Sequence, residues 1–133
     1  MNSPSRLGLA AVAIVVAAAC SDTTAPPKPG IVTVSFVTPH TDDGAISLDL
    51  TGPGVSSVQP GSSAYAVFWR IVSASEARLI VVGDLSAGVV ATVAVGDVNR
   101  LDAYHAEVIE VATRSDSARI STAGYALTLA AAH

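Results

Sequence analysis

The chain predicts an all-β fold, an antiparallel β-sandwich of about seven to nine strands, placed after an export signal and a flexible tether. Three observations carry this expectation. From residue 31 onward, short β-branched runs are separated by clusters of Gly, Pro, Asp and Ser, the spacing of strands and turns. Several runs alternate apolar and polar side chains with the period of two that a half-buried strand requires. Only residues 101–112 carry a competing helical period.

The N-terminal segment sets the compartment. Residues 7–19 are an uninterrupted apolar run after Arg6, ending at Cys20, the chain's only cysteine. The run falls within the roughly 7 to 15 residues of a signal-peptide core and short of the roughly 20 that a spanning helix needs. Residues 1–19 are therefore expected to be removed on export. The motif Ala17-Ala18-Ala19-Cys20 resembles the cleavage box of bacterial lipoproteins, in which small residues precede a cysteine that becomes the lipidated first residue. Ala18, Ala19 and Cys20 match it, and Ala17 stands where the family usually has leucine. Ala17 and Ala19 also suit ordinary signal peptidase. The resemblance implies cleavage between Ala19 and Cys20, lipidation of Cys20 and a membrane partner through the anchor. Each buried methylene is worth about 0.8 kcal/mol, so several acyl chains on one cysteine hold essentially permanently.

Loss of residues 1–19 removes Arg6 and no acidic residue, leaving six basic against eleven acidic side chains. That balance predicts no nucleic-acid partner. With Cys20 lipidated no internal disulfide can form, and packing alone has to stabilise the domain. Residues 20–30 hold three prolines and no apolar periodicity, which predicts an extended tether; at about 3.1 Å per residue it spans roughly 30 Å. Ser21 after the cysteine resembles the outer-membrane sorting signal of Gram-negative lipoproteins. Residues 31–130 form the expected sandwich domain.

Its strands are read in order. Residues 31–38 alternate Val32, Val34 and Phe36 with Thr33 and Ser35, and residues 45–51 place Ile46, Leu48 and Leu50 opposite Ser47, Asp49 and Thr51. A turn at residues 39–44 joins them. Gly52-Pro53-Gly54 ends the second run, and a short segment at 55–58 precedes the break at Pro60-Gly61. Residues 65–72 are apolar on nearly both faces, which predicts a central strand covered on both sides, with Arg70 needing an acidic or carbonyl partner or a route to the rim. Residues 77–82 and 89–95 are two further apolar strands, expected to pair antiparallel across residues 83–88. In residues 101–112 a helical face of Leu101, Tyr104, His105, Val108, Ile109 and Ala112 competes with strand alternation of Tyr104, Ala106 and Val108. The β context and the branched residues favour strand. Residues 125–130 close a sheet, and 131–133 are expected to fray.

This spacing suits an immunoglobulin-like or jelly-roll-like sandwich, with a small barrel as the alternative. The order of the runs at residues 43–50, 52–55, 78–84 and 89–95 resembles the cohesin-like sandwiches of extracellular bacterial proteins over most of residues 31–130. The likeness lies in strand patterning and loop placement and transfers no dockerin-binding residue. The chain as a whole resembles small bacterial lipoproteins without assigned activity.

Candidate chemistry is sparse. His40, His105 and His133 fall at no zinc-ligand spacing. Carboxylates at Asp42, Asp43, Asp84 and Asp97 offer oxygen ligands for calcium, but Asp beside Gly is common turn chemistry and no Asp-x-Asp-x-Asp-Gly loop is present. No metal and no cofactor is expected. His105 and Glu107 share a strand face without a nucleophile motif, and no phosphate-binding glycine pattern occurs. No catalytic residue is assigned, and the chain is expected not to be an enzyme. Tyr65 and Trp69, four residues apart on one strand face, are the candidate ligand contacts, although Val67 and Ile71 share that face, and such a stripe is more often core than ligand surface. The expectation is a membrane-anchored, non-catalytic envelope interaction or structural module that meets a protein partner through loops or a sheet edge; the alternative is a carbohydrate- or polymer-binding sandwich, and an enzyme comes third.

Overall fold

The computed structural model describes residues 25–132, so the expected export signal, Cys20 and the first part of the expected tether lie outside the described residues. Eight strands form: β1 (Gly30–Val37), β2 (Asp43–Thr51), β3 (Ser57–Pro60), β4 (Ala66–Ser73), β5 (Glu76–Leu85), β6 (Gly88–Val95), β7 (His105–Thr113) and β8 (Ala126–Ala131). One 3₁₀ turn, Leu101–Ala103, precedes β7. Two four-stranded antiparallel sheets result, ordered β3-β6-β1-β8 and β4-β5-β2-β7. The expected all-β sandwich is the observed architecture.

The alternating runs explain why the sheets close on each other. Val32, Val34 and Phe36 of β1 and Ile46, Leu48 and Leu50 of β2 are all buried, facing one another from opposite sheets. Ala77, Leu79, Val81 and Leu85 extend this layer in β5, and Val90, Val93 and Val95 in β6. Burying each such aliphatic side chain contributes about 1.5 to 3 kcal/mol, and no disulfide joins the described residues. Leu48 pairs with Leu79 on one side and Val108 on the other, which places it in the middle of its sheet.

Two sequence expectations are corrected here. β5 and β6 do not pair; they lie in different sheets, and residues 86–87 arch from one layer to the other. Both strands carry an apolar inner face, and such faces can meet across a core as well as side by side, so alternation alone does not choose. The second correction concerns residues 65–72. Among the described residues β4 is the outer strand of its sheet, paired only with β5, and not a central strand. Phe68, Trp69, Ile71 and Val72 all remain exposed. Its apolar character on both faces marks surface that the described residues leave uncovered.

Smaller differences have local causes. Residues 101–112 divide, the 3₁₀ turn taking Leu101 to Ala103 and β7 the remainder, so strand prevails. The segment expected as a tether is held before it reaches β1, since the Lys28 amide donates to Asp97 and the Val98 amide donates to the Lys28 carbonyl. β8 runs on to Ala131, and the Ala132 amide still bonds the Ile31 carbonyl. Tyr104, buried, ties the tether end of the sandwich together: its hydroxyl donates to the Pro53 carbonyl at 2.6 Å and accepts from the Asp97 amide. The ring lies over Gly52, where φ is +145° and a Cβ would fall 2.1 Å from Tyr104 Cδ1, so glycine is required.

Candidate functional site

Two clusters stand out, one at the end remote from Gly30 and one along β4. The remote cluster forms because β2 begins two residues earlier than the alternation suggests, which draws Asp43 fully inside. The 114–125 segment then returns across it. Tyr125 donates its hydroxyl to Asp43 Oδ1 at 2.8 Å, the Arg119 guanidinium approaches the same oxygen at 3.1 Å, and the Thr38 hydroxyl bonds Oδ2. Arg119 also bonds Asp42. Burial pushes the Asp43 carboxyl upward, but hydrogen bonds from Thr38, Tyr125 and Arg119, with the Arg119 charge, outweigh it and hold the pKa below its ordinary value. Burial likewise works against the Arg119 charge, and its bonds to Asp42 and Asp43 prevail to strengthen its hold on the proton. Tyr125 is shifted up by burial and by its bond to Asp43, and its ring stacks on Phe36 with centroids 5.7 Å apart.

The carboxylates considered for calcium all meet donors of the protein itself. Asp42 and Asp43 are matched by Arg119, Asp84 is paired with Arg114 at 3.0 Å, and Asp97 accepts from the Lys28 and Asn99 amides. Asp84 thus has an arginine of its own, Asp42 and Asp43 share one guanidinium, and Asp97 meets backbone amides alone. Among the described residues no group of three His, Cys, Asp or Glu side chains gathers in a metal-holding arrangement. His40 leans against the Tyr125 ring. His105 and Glu107 both project from the exposed face of β7, opposite Thr51 and Asp49. The hydroxyl nearest to His105 in the bonding pattern, Thr51, donates to its backbone carbonyl and not to its ring.

The second cluster is apolar. β4 places Phe68 and Arg70 on the outer face, opposite Ile80 and Arg78 of β5, while Val67, Trp69 and Ile71 lie opposite the buried Val81, Leu79 and Ala77 and so face inward. Inward orientation does not bury them, because they overhang the edge: Trp69 is 39% and Ile71 47% exposed, and outward Phe68 reaches 63%. Phe68, Trp69, Arg70, Arg78 and Ile80 line a shallow depression of about 250 Å³. Arg78 is held by Asp49 through two bonds, at 2.7 and 3.0 Å, and that contact foremost lowers the Asp49 pKa. Arg70 has no ion-pair partner among the described residues.

The candidate pair Tyr65 and Trp69 is thus divided. Tyr65 precedes β4, is half-buried and packs against the core, its ring beside Gly83; Trp69 stands at the rim of the depression. Phe68, Ile80 and Arg70 were not singled out by sequence reasoning as contacts, although a strand apolar on both faces was the available signal. The Asp43 network was also missed, because Asp42-Asp43-Gly44 looks like turn chemistry until Arg119 and Tyr125 arrive from a distant loop. Ala19 and Cys20, the expected cleavage and lipidation positions, lie outside the described residues. No protein-family model, curated protein or solved structure matches the chain.

Proposed function

We propose that the protein is an exported, non-catalytic interaction module, tethered to the bacterial cell envelope through Cys20, that takes an extended polypeptide segment along the β4 edge. The observation supporting this reading is the exposure of Phe68, Trp69, Ile71 and Val72 on one outer strand. An outer strand offers unpaired backbone donors and acceptors, and side-chain depressions beside it select what pairs there. Monomeric soluble domains usually blunt such edges; one left open and apolar on both faces suits a partner.

The lining also bears on ligand class. Sugars need hydrogen-bond partners for their hydroxyls beside an aromatic face. Here Arg70 is the one unpaired polar side chain in a depression otherwise formed by Phe68, Trp69, Ile80 and the Asp49-bound Arg78. An apolar side chain on an added strand fits that chemistry better than a sugar ring, so the carbohydrate reading stands second. The test is a photo-crosslinking residue placed at Phe68 in the full chain in its native envelope, with Thr128 on the other sheet as control. Polypeptide adducts from position 68 and none from 128 are expected. No adduct at 68, or equal adducts at both, would sink the reading, and retention on a glycan array lost on Trp69→Ala would transfer support to carbohydrate. The tether is tested separately by intact mass: an acylated chain beginning at Cys20, reduced to an unacylated one by Cys20→Ala.

A further inference from the structure

Resting on the strand-pairing reading of β4, we infer that the partner strand is β4 of a second copy, paired antiparallel about a two-fold axis through Trp69. Symmetry and charge select this register. A two-fold perpendicular to the sheet keeps inner faces with inner faces, so residues placed opposite must differ by an even number in sequence. For the strand Ala66–Ser73, only pairings centred on Trp69 or on Arg70 satisfy this while engaging nearly its whole length. Centring on Arg70 sets two guanidinium groups against each other, and like charges directly opposite destabilise a pair. Centring on Trp69 sets Arg70 against the other copy's Phe68, twice, and Val67 against Ile71. Each Arg70 then lies within reach of an aromatic face, a favourable cation–π arrangement.

Each of the other sheet edges is short or partly covered. β3, the neighbouring edge of the other sheet, is four residues long and ends in Pro60, which has no amide to donate. β8 is short, with three alanines and a threonine, and its two leucines, Leu127 and Leu129, pack against the core. β7 is covered by its own chain along its last three residues: Ala112 bridges Ala118, the Arg119 amide donates to Val111 and the Thr113 amide to Ser117. β4 alone is long, bulky and without such cover among the described residues.

Area sets the strength. The exposed parts of Phe68, Trp69, Ile71 and Val72 supply on the order of 350 Å² of apolar surface per copy, about half the roughly 800 Å² per partner of a standard interface. A weak, concentration-dependent dimer is expected, of the kind that confinement to one membrane strengthens. Antiparallel pairing sends the two tethers out from opposite ends of the dimer, so anchors in one membrane require the strands to lie along its surface.

Sedimentation velocity of the full chain in detergent, over a concentration series, tests this with two charge variants at the 63%-exposed Phe68, where folding is not at stake. The wild type is expected to dimerise. Phe68→Lys, facing Arg70, weakens the dimer at least about tenfold, whereas Phe68→Glu, facing the same Arg70, keeps or strengthens it. Adding Arg70→Glu to Phe68→Glu sets like charges opposite and dissociates it again. A wild type that stays monomeric at every concentration, or Phe68→Glu and Phe68→Lys weakening it equally, overturns the inference. Crosslinks from position 68 to a different polypeptide, with a monomeric wild type, would overturn self-pairing while leaving the strand-pairing reading intact.

Discussion

β4 and β7 border the same sheet, and the chain treats them differently. At its C-terminal end, Val111–Thr113, β7 passes its outer backbone groups to residues 117–119 of the returning 114–125 segment, whereas β4 has no strand beyond it among the described residues. The strands themselves do not explain this, for both are rich in branched residues and both are interrupted by a bulge. What separates them is the anchor of a loop. Arg119 and Tyr125 lock the returning segment to the buried Asp43, while among the described residues no buried acid lies beside β4. An edge in this molecule is closed by polar chemistry brought from a distant segment and left open where that chemistry is missing.

Breaking the anchor should make the two edges alike. Asp43→Ala leaves Arg119 and Tyr125 without their shared acceptor, and losing one partner of a buried, hydrogen-bonded charge is expected to cost about 3 kcal/mol in urea unfolding. Amide exchange at Thr113 should accelerate with it; slow exchange there with full stability would show that the cover on β7 does not depend on Asp43.

Acid offers a milder route to the same end. Because the folded pKa of Asp43 lies below its ordinary value of 3.8, the unfolded chain binds its proton first as pH falls. The Asp43 contribution is therefore complete above the unfolded value and disappears as pH drops through the folded one. Asp49 is shifted in the same direction by Arg78, so the acid limb should flatten only in part for Asp43→Asn when stability is measured against pH. An unchanged limb would remove Asp43 from the titration.

Removing one donor is smaller again. Thr38→Val should cost about 1.5 kcal/mol by chemical denaturation, the usual worth of a hydrogen bond to a charged group, and a neutral effect would mean that Tyr125 and Arg119 suffice. The smallest effect belongs to the open edge. Phe68→Ser should change unfolding free energy by no more than about 0.5 kcal/mol, as expected of an exposed side chain, measured below the concentration at which copies pair. A loss of 2 kcal/mol would mean that Phe68 supports the fold and that β4 is less open than its exposure indicates.

Alternation in residues 31–37 and 45–50 was enough to identify β1, β2 and their buried faces, because a period of two leaves a strand only one way to hide Val32, Val34, Phe36, Ile46, Leu48 and Leu50. The run of turn residues between strands likewise announced a sandwich, and the expectation of an exported, Cys20-anchored chain came from local pattern alone. Neighbourhood was not legible in the same way. An apolar strand reads identically at the centre of a sheet and at an edge awaiting a partner, so β4 was misplaced; two apolar strands joined by a short link read identically as a hairpin and as an arch, so β5 and β6 were paired wrongly. Asp43 looked like a turn residue because its acceptors are filled from positions 76 and 82 residues away. Hydrophobic period is a property of one strand and survives in the sequence, whereas pairing, edge and charge satisfaction belong to residues distant along the chain and are decided only when the two sheets close.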